Sequence, residues 1–238
     1  MKIYMIFLVL IALILLGCSN SASPSWQNFA PFAFISGQID GWNYGDHRHI
    51  VLCATDTSTF GPICSTSSID LTGRFYLQNL ASPPSSIQGF PSYAFVNEFG
   101  LEVLENTVTC SDSFAKVITG VLRVGNDSSS SWLGFVYREG GSSDFLENNG
   151  DFVVNYYYTI KNVKLTGTMK ARTFGGADSV RGEQILQFDL SFVKGWNQEV
   201  IWFKSQSAYI DSGKTINSRV YSITNYEPYP GRWIYSAN

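Results

Sequence analysis

Ala33-Phe34-Ile35-Ser36-Gly37-Gln38-Ile39-Asp40-Gly41 decides how this chain is read. Phe34, Ser36 and Gln38 fall on one side of the segment; Ala33, Ile35, Gly37 and Ile39 fall on the other. Side chains repeat every second residue in a strand and every 3.6 in a helix, so this spacing belongs to a strand. Asp40-Gly41 then closes it, because both residue types favour turns. The same grammar continues outward. Residues 48–54 alternate again, with Ile50, Leu52 and Ala54 on one face. Over 69–77, Asp70 can accept backbone N–H groups of a tight corner. Gly73 there can take a positive φ at no steric cost, and Phe75 and Leu77 point the same way.

Further strand-like runs lie at 93–96, 116–124, 132–138, 152–170, 184–193, 198–204, 209–210 and 215–223. Turn signals separate them: Gly125-Asn126-Asp127, Gly140-Gly141, Asn148-Asn149-Gly150, Gly175-Gly176 and Asp211-Ser212-Gly213, the last a tight hairpin. A chain that is 15% aromatic with 21 Gly has the vocabulary of pleated strands and turns. No amphipathic helix of normal length is visible. The expectation is an all-β fold of one or two β-sandwich modules. Residues 81–92 hold Pro83, Pro84 and Pro91, which cannot feed a central strand. They suggest a linker between an N-terminal β-sandwich module at 32–80 and a C-terminal β module at 93–238. Gly-Trp-Asn occurs at 41–43 and again at 195–197. At each, glycine turns the chain, tryptophan packs beneath, and asparagine satisfies backbone groups.

The N-terminus carries an address. Lys2 precedes an unbroken apolar run over residues 3–16, followed by Gly17 and Cys18. A basic residue, an apolar stretch and small residues form a secretory signal peptide. Its 14 apolar residues are too few for a hydrocarbon core that needs about 20 helical residues. Leu15-Leu16-Gly17-Cys18 closely resembles the lipobox of bacterial lipoproteins, which implies cleavage after residue 17. Cys18 would then be acylated, palmitate included, and 18–31 would be a tether. More than one acyl chain gives stable anchorage, at about 0.8 kcal/mol per buried CH₂. Ser19 is not the Asp that marks inner-membrane retention in that family, so an outer membrane is expected where two membranes exist.

Charge narrows the partners. The formal net charge of −3 becomes −4 once Lys2 leaves, with no basic block anywhere. Nucleic acid is therefore not an expected partner, since phosphate binding needs clustered Lys and Arg. Of the remaining cysteines, Cys53 and Cys64 flank one short loop and are the favoured disulfide in an oxidising compartment, with Cys110 left over. Three free buried thiols are the alternative.

Chemistry is sparse. His47 and His49 are the only histidines. On a strand they would share a face, but nothing in the spacing supplies a third metal ligand. No nucleophile elbow, zinc helix, phosphate loop or dinucleotide fingerprint is present. Glu98, Glu102, Glu105 and Glu147 are acids without a pattern. No catalytic residue, metal or cofactor is expected. The aromatics offer more: Trp42, Trp132, Trp202 and Trp233 could stack sugar rings or anchor a protein partner. In Tyr156-Tyr157-Tyr158 the middle ring faces opposite its neighbours.

Asn155-Tyr156-Tyr157-Tyr158 followed by Val163-Lys164-Leu165-Thr166-Gly167-Thr168 resembles the YxYxxxxVxxTGT stretch of a group of uncharacterised bacterial surface lipoproteins. Asp189-Leu190-Ser191-Phe192-Val193-Lys194-Gly195-Trp196-Asn197 resembles their DLxLKxGWN segment. Residues 35–42 and 70–77 are similar to their N-terminal, transthyretin-like sandwich. The resemblance implies an all-β lipoprotein and no chemistry. The expected role is a non-enzymatic interaction module of the envelope, held to the membrane by Cys18 and meeting an envelope protein. A glycan-binding surface lipoprotein is the alternative, and a hydrolase a more distant one.

Overall fold

The computed structural model describes residues 30–55, 61–87, 89–91, 102–126, 129–141, 146–175 and 179–237. Fifteen strands and no helix occur among them. In chain order they are β1 Phe34–Gln38, β2 Arg48–Thr55, β3 Ile63–Ile69, β4 Arg74–Gln78, β5 Phe90–Pro91, β6 Glu102–Asn106, β7 Thr109–Cys110, β8 Lys116–Asn126, β9 Ser129–Gly140 and β10 Phe152–Thr159. The remainder are β11 Val163–Gly175, β12 Ser179–Phe192, β13 Gly195–Asp211, β14 Lys214–Thr224 and β15 Arg232–Ala237. The all-β, sandwich-like fold expected from alternation is what forms.

β1 and β4 make a small antiparallel sheet, in the register Ile35↔Leu77 and Gly37↔Phe75. Every other strand joins one large sheet, ordered β3-β2-β8-β9-β10-β13-β14-β12-β11-β6. β15 adds to β9, β5 to β8 and β7 to β11. All pairings are antiparallel except β12 with β14. The corner before β4 forms as its residues dictate. Asp70 Oδ1 accepts bonds from the N–H groups of Thr72 (2.8 Å) and Arg74 (2.9 Å), and Gly73 sits at φ +83°. Residues 152–170 divide into β10 and β11, and 198–204 runs on through 209–210 as the single strand β13. The run at 93–96 lies outside the described residues.

Two hydrophobic cores lie on opposite faces of a shared wall. The first takes Ile35 and Leu77 from the small sheet, Ile50 and Leu52 from β2, Ile118 from β8, Tyr156 and Tyr158 from β10, Trp196 and Val200 from β13, and Trp233 from β15. The second takes Val117 from β8, Tyr157 from β10 and Phe203 from β13, against Leu165, Phe188, Leu190 and Tyr221 of the β11–β12–β14 segment. Strand alternation thus sends odd and even residues of β8, β10 and β13 into different cores. This is why all three consecutive tyrosines are buried. Tyr157 donates to Glu199 Oε2 (3.3 Å) and Tyr158 to Ser82 Oγ (2.8 Å), so each hydroxyl keeps a partner.

The division drawn at 81–92 follows the chain but not the packing. The core that residues 32–80 line is completed by residues 118–233, and β2 pairs directly with β8. The second Gly-Trp-Asn behaves as its composition suggests. Gly195 has φ +118°, and Trp196 is buried with Nε1 donating to Ala81 O (2.9 Å). Asn197 accepts from Val193 N–H (2.9 Å) and donates to the Val193 (2.7 Å) and Gly195 (2.8 Å) carbonyls.

Candidate functional site

One end of the first core is closed by aromatic rings that remain partly open to solvent. Its geometry begins at the end of β1. Ile39 bridges to Trp233, Asp40 N–H donates to the Trp233 carbonyl (2.8 Å), and Gly41 at φ +63° turns the chain away. Trp42 then lies over Gly73, where any Cβ would come within 2.6 Å of the Trp42 Cβ. Its Nε1 donates to the Gly45 carbonyl (2.9 Å), which holds the 42–45 loop against the rings. Trp42 stands 5.2 Å from Tyr44 and 5.6 Å from Tyr235 between ring centroids, and Tyr44 stands 4.8 Å from Tyr235. These are tilted or edge-on contacts, the geometry that ring quadrupoles favour.

Hydrogen bonds fix the segments that carry and flank these rings. Arg48 opens β2, half-buried, with Nη1 donating to the Asn126 Oδ1 (2.8 Å) and His47 (3.0 Å) oxygens. Tyr235 donates to the Leu133 carbonyl (3.0 Å). Burial and the neighbouring Tyr44 push its hydroxyl above the usual tyrosine range, against the pull of Arg48. Tyr44 is 45% exposed, so the cluster offers a ring to solvent.

The four tryptophans singled out by sequence do not form one row. Trp42 joins the end cluster. Trp132 lies on the opposite face of the sheet, edge-on to His49 (6.3 Å), with the Arg123 guanidinium 5.9 Å from its centroid. Trp202 is half-buried under the Lys204 ammonium, 3.3 Å from the ring centroid, and its Nε1 is buried without a hydrogen-bond partner. Trp233 belongs to the core, 5% exposed, edge-on to Phe75 at 5.0 Å and parallel to Tyr156 at 6.4 Å. The missed members, Tyr44 and Tyr235, had a sequence signal. Each stands two residues after a tryptophan, in Trp42-Asn43-Tyr44 and Trp233-Ile234-Tyr235. In extended chain that spacing puts both rings on one side.

The expected Cys53–Cys64 disulfide is not formed; both are buried free thiols, and Cys110 is buried as well. The physical reason is facing. The β2–β3 register shifts between Leu52 and Cys53, which sets Cys53 opposite Ile63. Cys64 points into the first core beside Leu52 and Ala54, whereas alternation turns Cys53 to the other side of β2. Burial pushes the Cys53 thiol up to about 11, with Arg123 pulling it down and Cys64 adding to the rise. It stays a thiol at neutral pH and is a poor nucleophile. Cys18 lies outside the described residues.

The buried acids are engaged in structure. Glu139 meets Arg232 (3.1 Å), Glu183 meets Lys170 (3.0 Å), and Glu199 accepts from Asn155 (2.9 Å) and Tyr157. Glu102, Glu105 and Glu147 are exposed, and Glu98 is outside the described residues. His47 is exposed beside Asp46 (3.5 Å), while His49 turns to Trp132, so the two do not share a site. Among the described residues no three His, Cys, Asp or Glu gather as metal ligands, and no helix is long and apolar enough to cross a membrane.

No family model, curated protein or solved structure matches the chain.

Proposed function

We propose that this chain is a lipid-anchored protein of the bacterial envelope, acting as a non-enzymatic interaction module, and that it belongs with the surface lipoproteins it resembles. The observation that carries the reading is Leu15-Leu16-Gly17-Cys18 after a 14-residue apolar run. Cleavage before Cys18 and acylation of its sulfur leave the folded part on a tether. The chain enters the scaffold where Phe32 N–H donates to the Trp196 carbonyl (2.8 Å). The 14 residues 18–31 therefore reach roughly 50 Å at most. Ser19 in place of Asp favours the outer membrane where the cell has two.

The test is Cys18→Ala. The wild type takes up labelled palmitate and fractionates with membranes; the variant is expected to do neither. A variant that stays wholly membrane-bound would end the lipoprotein reading. Crosslinking the wild type in its own cells, with mass spectrometry of what is recovered, then separates protein partners from glycan.

A second reading, glycan binding, is favoured by the Trp42–Tyr44–Tyr235 cluster. Sugar rings present C–H faces that pack on aromatic rings, and one of the three rings in this cluster faces solvent. Tyr44→Ala with loss of cell-wall glycan capture is the outcome expected under this reading. Unchanged capture would remove it.

A further inference from the structure

We infer that the end of the molecule where the tether enters rests on an anionic phospholipid surface, with Lys164 and Lys194 meeting phosphate groups and Ile160 and Tyr226 seated among the headgroups. The inference rests on the lipoprotein reading and adds to it the face turned to the membrane. Phe32 marks the entry, its N–H held by the Trp196 carbonyl (2.8 Å). The neighbouring turns are tied to that point by short distances. A Cβ on Gly195 would come within 2.7 Å of Pro31. Thr159 pairs with Gly195 across β10 and β13 and donates to the Val193 carbonyl (2.9 Å). Lys194 N–H donates to Asn162 Oδ1 (2.8 Å), so the turns at 160–162 and 193–195 lie side by side. Tyr226 lines an open cavity with Ala30, Phe32 and Ser191, and Lys164 stands opposite Ser191 near the start of β11.

These segments show solvent an unusual mixture. Ile160 is 44% exposed and Tyr226 61%. Lys161 is held by Asp112 (3.1 Å), but Lys164 and Lys194 pair with no acid among the described residues. Asp189, the other acid here, is exposed two residues before Ser191. Apolar and aromatic side chains beside free ammonium groups suit a headgroup layer, where rings take the interface and cations take phosphate. A protein partner could cover the same groups, and the tether decides between the two. Residues 18–31 begin at the cysteine that carries the acyl chains and end at this face, so anchorage brings this part of the fold within about 50 Å of the bilayer. Lys214 provides the contrast. It begins β14, whose other end leads to Asn225 and Tyr226, about 33 Å away along the strand.

Amine acetylation read by mass spectrometry tests this on the mature lipidated protein in vesicles. One set is phosphatidylcholine; the other is phosphatidylcholine and phosphatidylglycerol in equal parts. Flotation with the vesicles reports the anchor, and labelling reports the face. Lys164 and Lys194 are expected to react about threefold more slowly on the anionic vesicles than on the neutral ones, with Lys214 unchanged. Lys194→Glu, at an exposed side chain, should return Lys164 towards its neutral-vesicle rate while the protein still floats. Raising sodium chloride to about 0.5 M should do the same for the wild type. Equal rates on both vesicles in a protein that floats would overturn the membrane face and leave the anchor standing. Protection that appears only as protein density on the vesicle rises would assign the face to a second copy and overturn it too. Failure to float would overturn the lipoprotein reading and this inference together.

Discussion

Glu183 is a buried acid whose ionisation bears on stability. It sits on the outer face of β12, 3% exposed, covered by Lys170 (3.0 Å) and Arg172 (3.7 Å). Burial pushes its carboxyl up, yet hydrogen bonds from Tyr209 and Lys170 and the two positive charges outweigh it and hold the group below the usual range. A depressed folded pKa means stability that is present above the unfolded carboxylate value, about 4.3, and lost as pH falls through the folded one. Both cations are about a third exposed, so the pair contributes less than a fully buried one. Glu183→Gln is expected to cost about 1–3 kcal/mol at neutral pH. Urea midpoints across pH check this: the gap between wild type and variant should close below about pH 4. A gap that persists in acid would show that shape, not charge, explains the loss. Trp196 is a different case, with no charge to titrate. Its ring fills the space beside Gly120, where a Cβ would come within 2.5 Å, and Tyr158 packs edge-on at 5.5 Å. Trp196→Ala should cost about 3–5 kcal/mol by urea unfolding.

Among the elements, the far end of the β13–β14 hairpin is lightly packed along β13. Every residue from Lys204 to Asp211 is exposed, while β13 before it is mostly buried. The tip closes Asp211 onto Lys214, with Ser212 at φ +51° and Gly213 at φ +78°. Two positive φ values make a primed turn, whose twist suits a two-residue hairpin. Gly213→Ala is expected to cost about 1 kcal/mol locally. Hydrogen exchange should quicken over 205–211 while the melting temperature stays near that of the wild type. A large fall in melting temperature would mean that the hairpin end is coupled to the cores. The turn, the Asp70 corner and most strands were legible because each is a local matter of period and φ. The pairing of the strands was not. β15 joins β9 across some hundred residues of chain, and β12 runs parallel to β14 although both have β13 between them in sequence. The site was legible in halves for the same reason. Trp42 with Tyr44 and Trp233 with Tyr235 are each readable as a same-side pair, but only the Ile39–Trp233 bridge brings the pairs together.

For the molecule as a whole, the shared wall decides how it unfolds. β8, β10 and β13 each give alternate residues to both cores, so neither core can dissolve without exposing the back of the other. Unfolding should therefore be a single cooperative step for the parts that meet this wall, with the same midpoint by tryptophan fluorescence and far-ultraviolet dichroism. The N-terminal segment makes the sharper case. β1 to β4 provide Ile35, Ile50, Leu52, Ile69, Phe75 and Leu77, but the surface these cover is Leu122, Val124, Val136, Tyr156 and Trp233 from beyond residue 92. A fragment ending at residue 92 would keep one side of a core and leave it open to water. Each of those large apolar side chains gives up roughly 1.5–3 kcal/mol of burial when left exposed, more than the two short pairs β1–β4 and β2–β3 can offset. The fragment over 18–92 is expected to lack amide dispersion in its proton spectrum and to bind a hydrophobic dye. It should acquire a folded spectrum only when mixed with the complementary chain from 93 to 238. Independent folding of 18–92, with dispersed amides and a cooperative melt, would show that the proline-rich stretch separates two domains after all and that the shared wall is an interface between them.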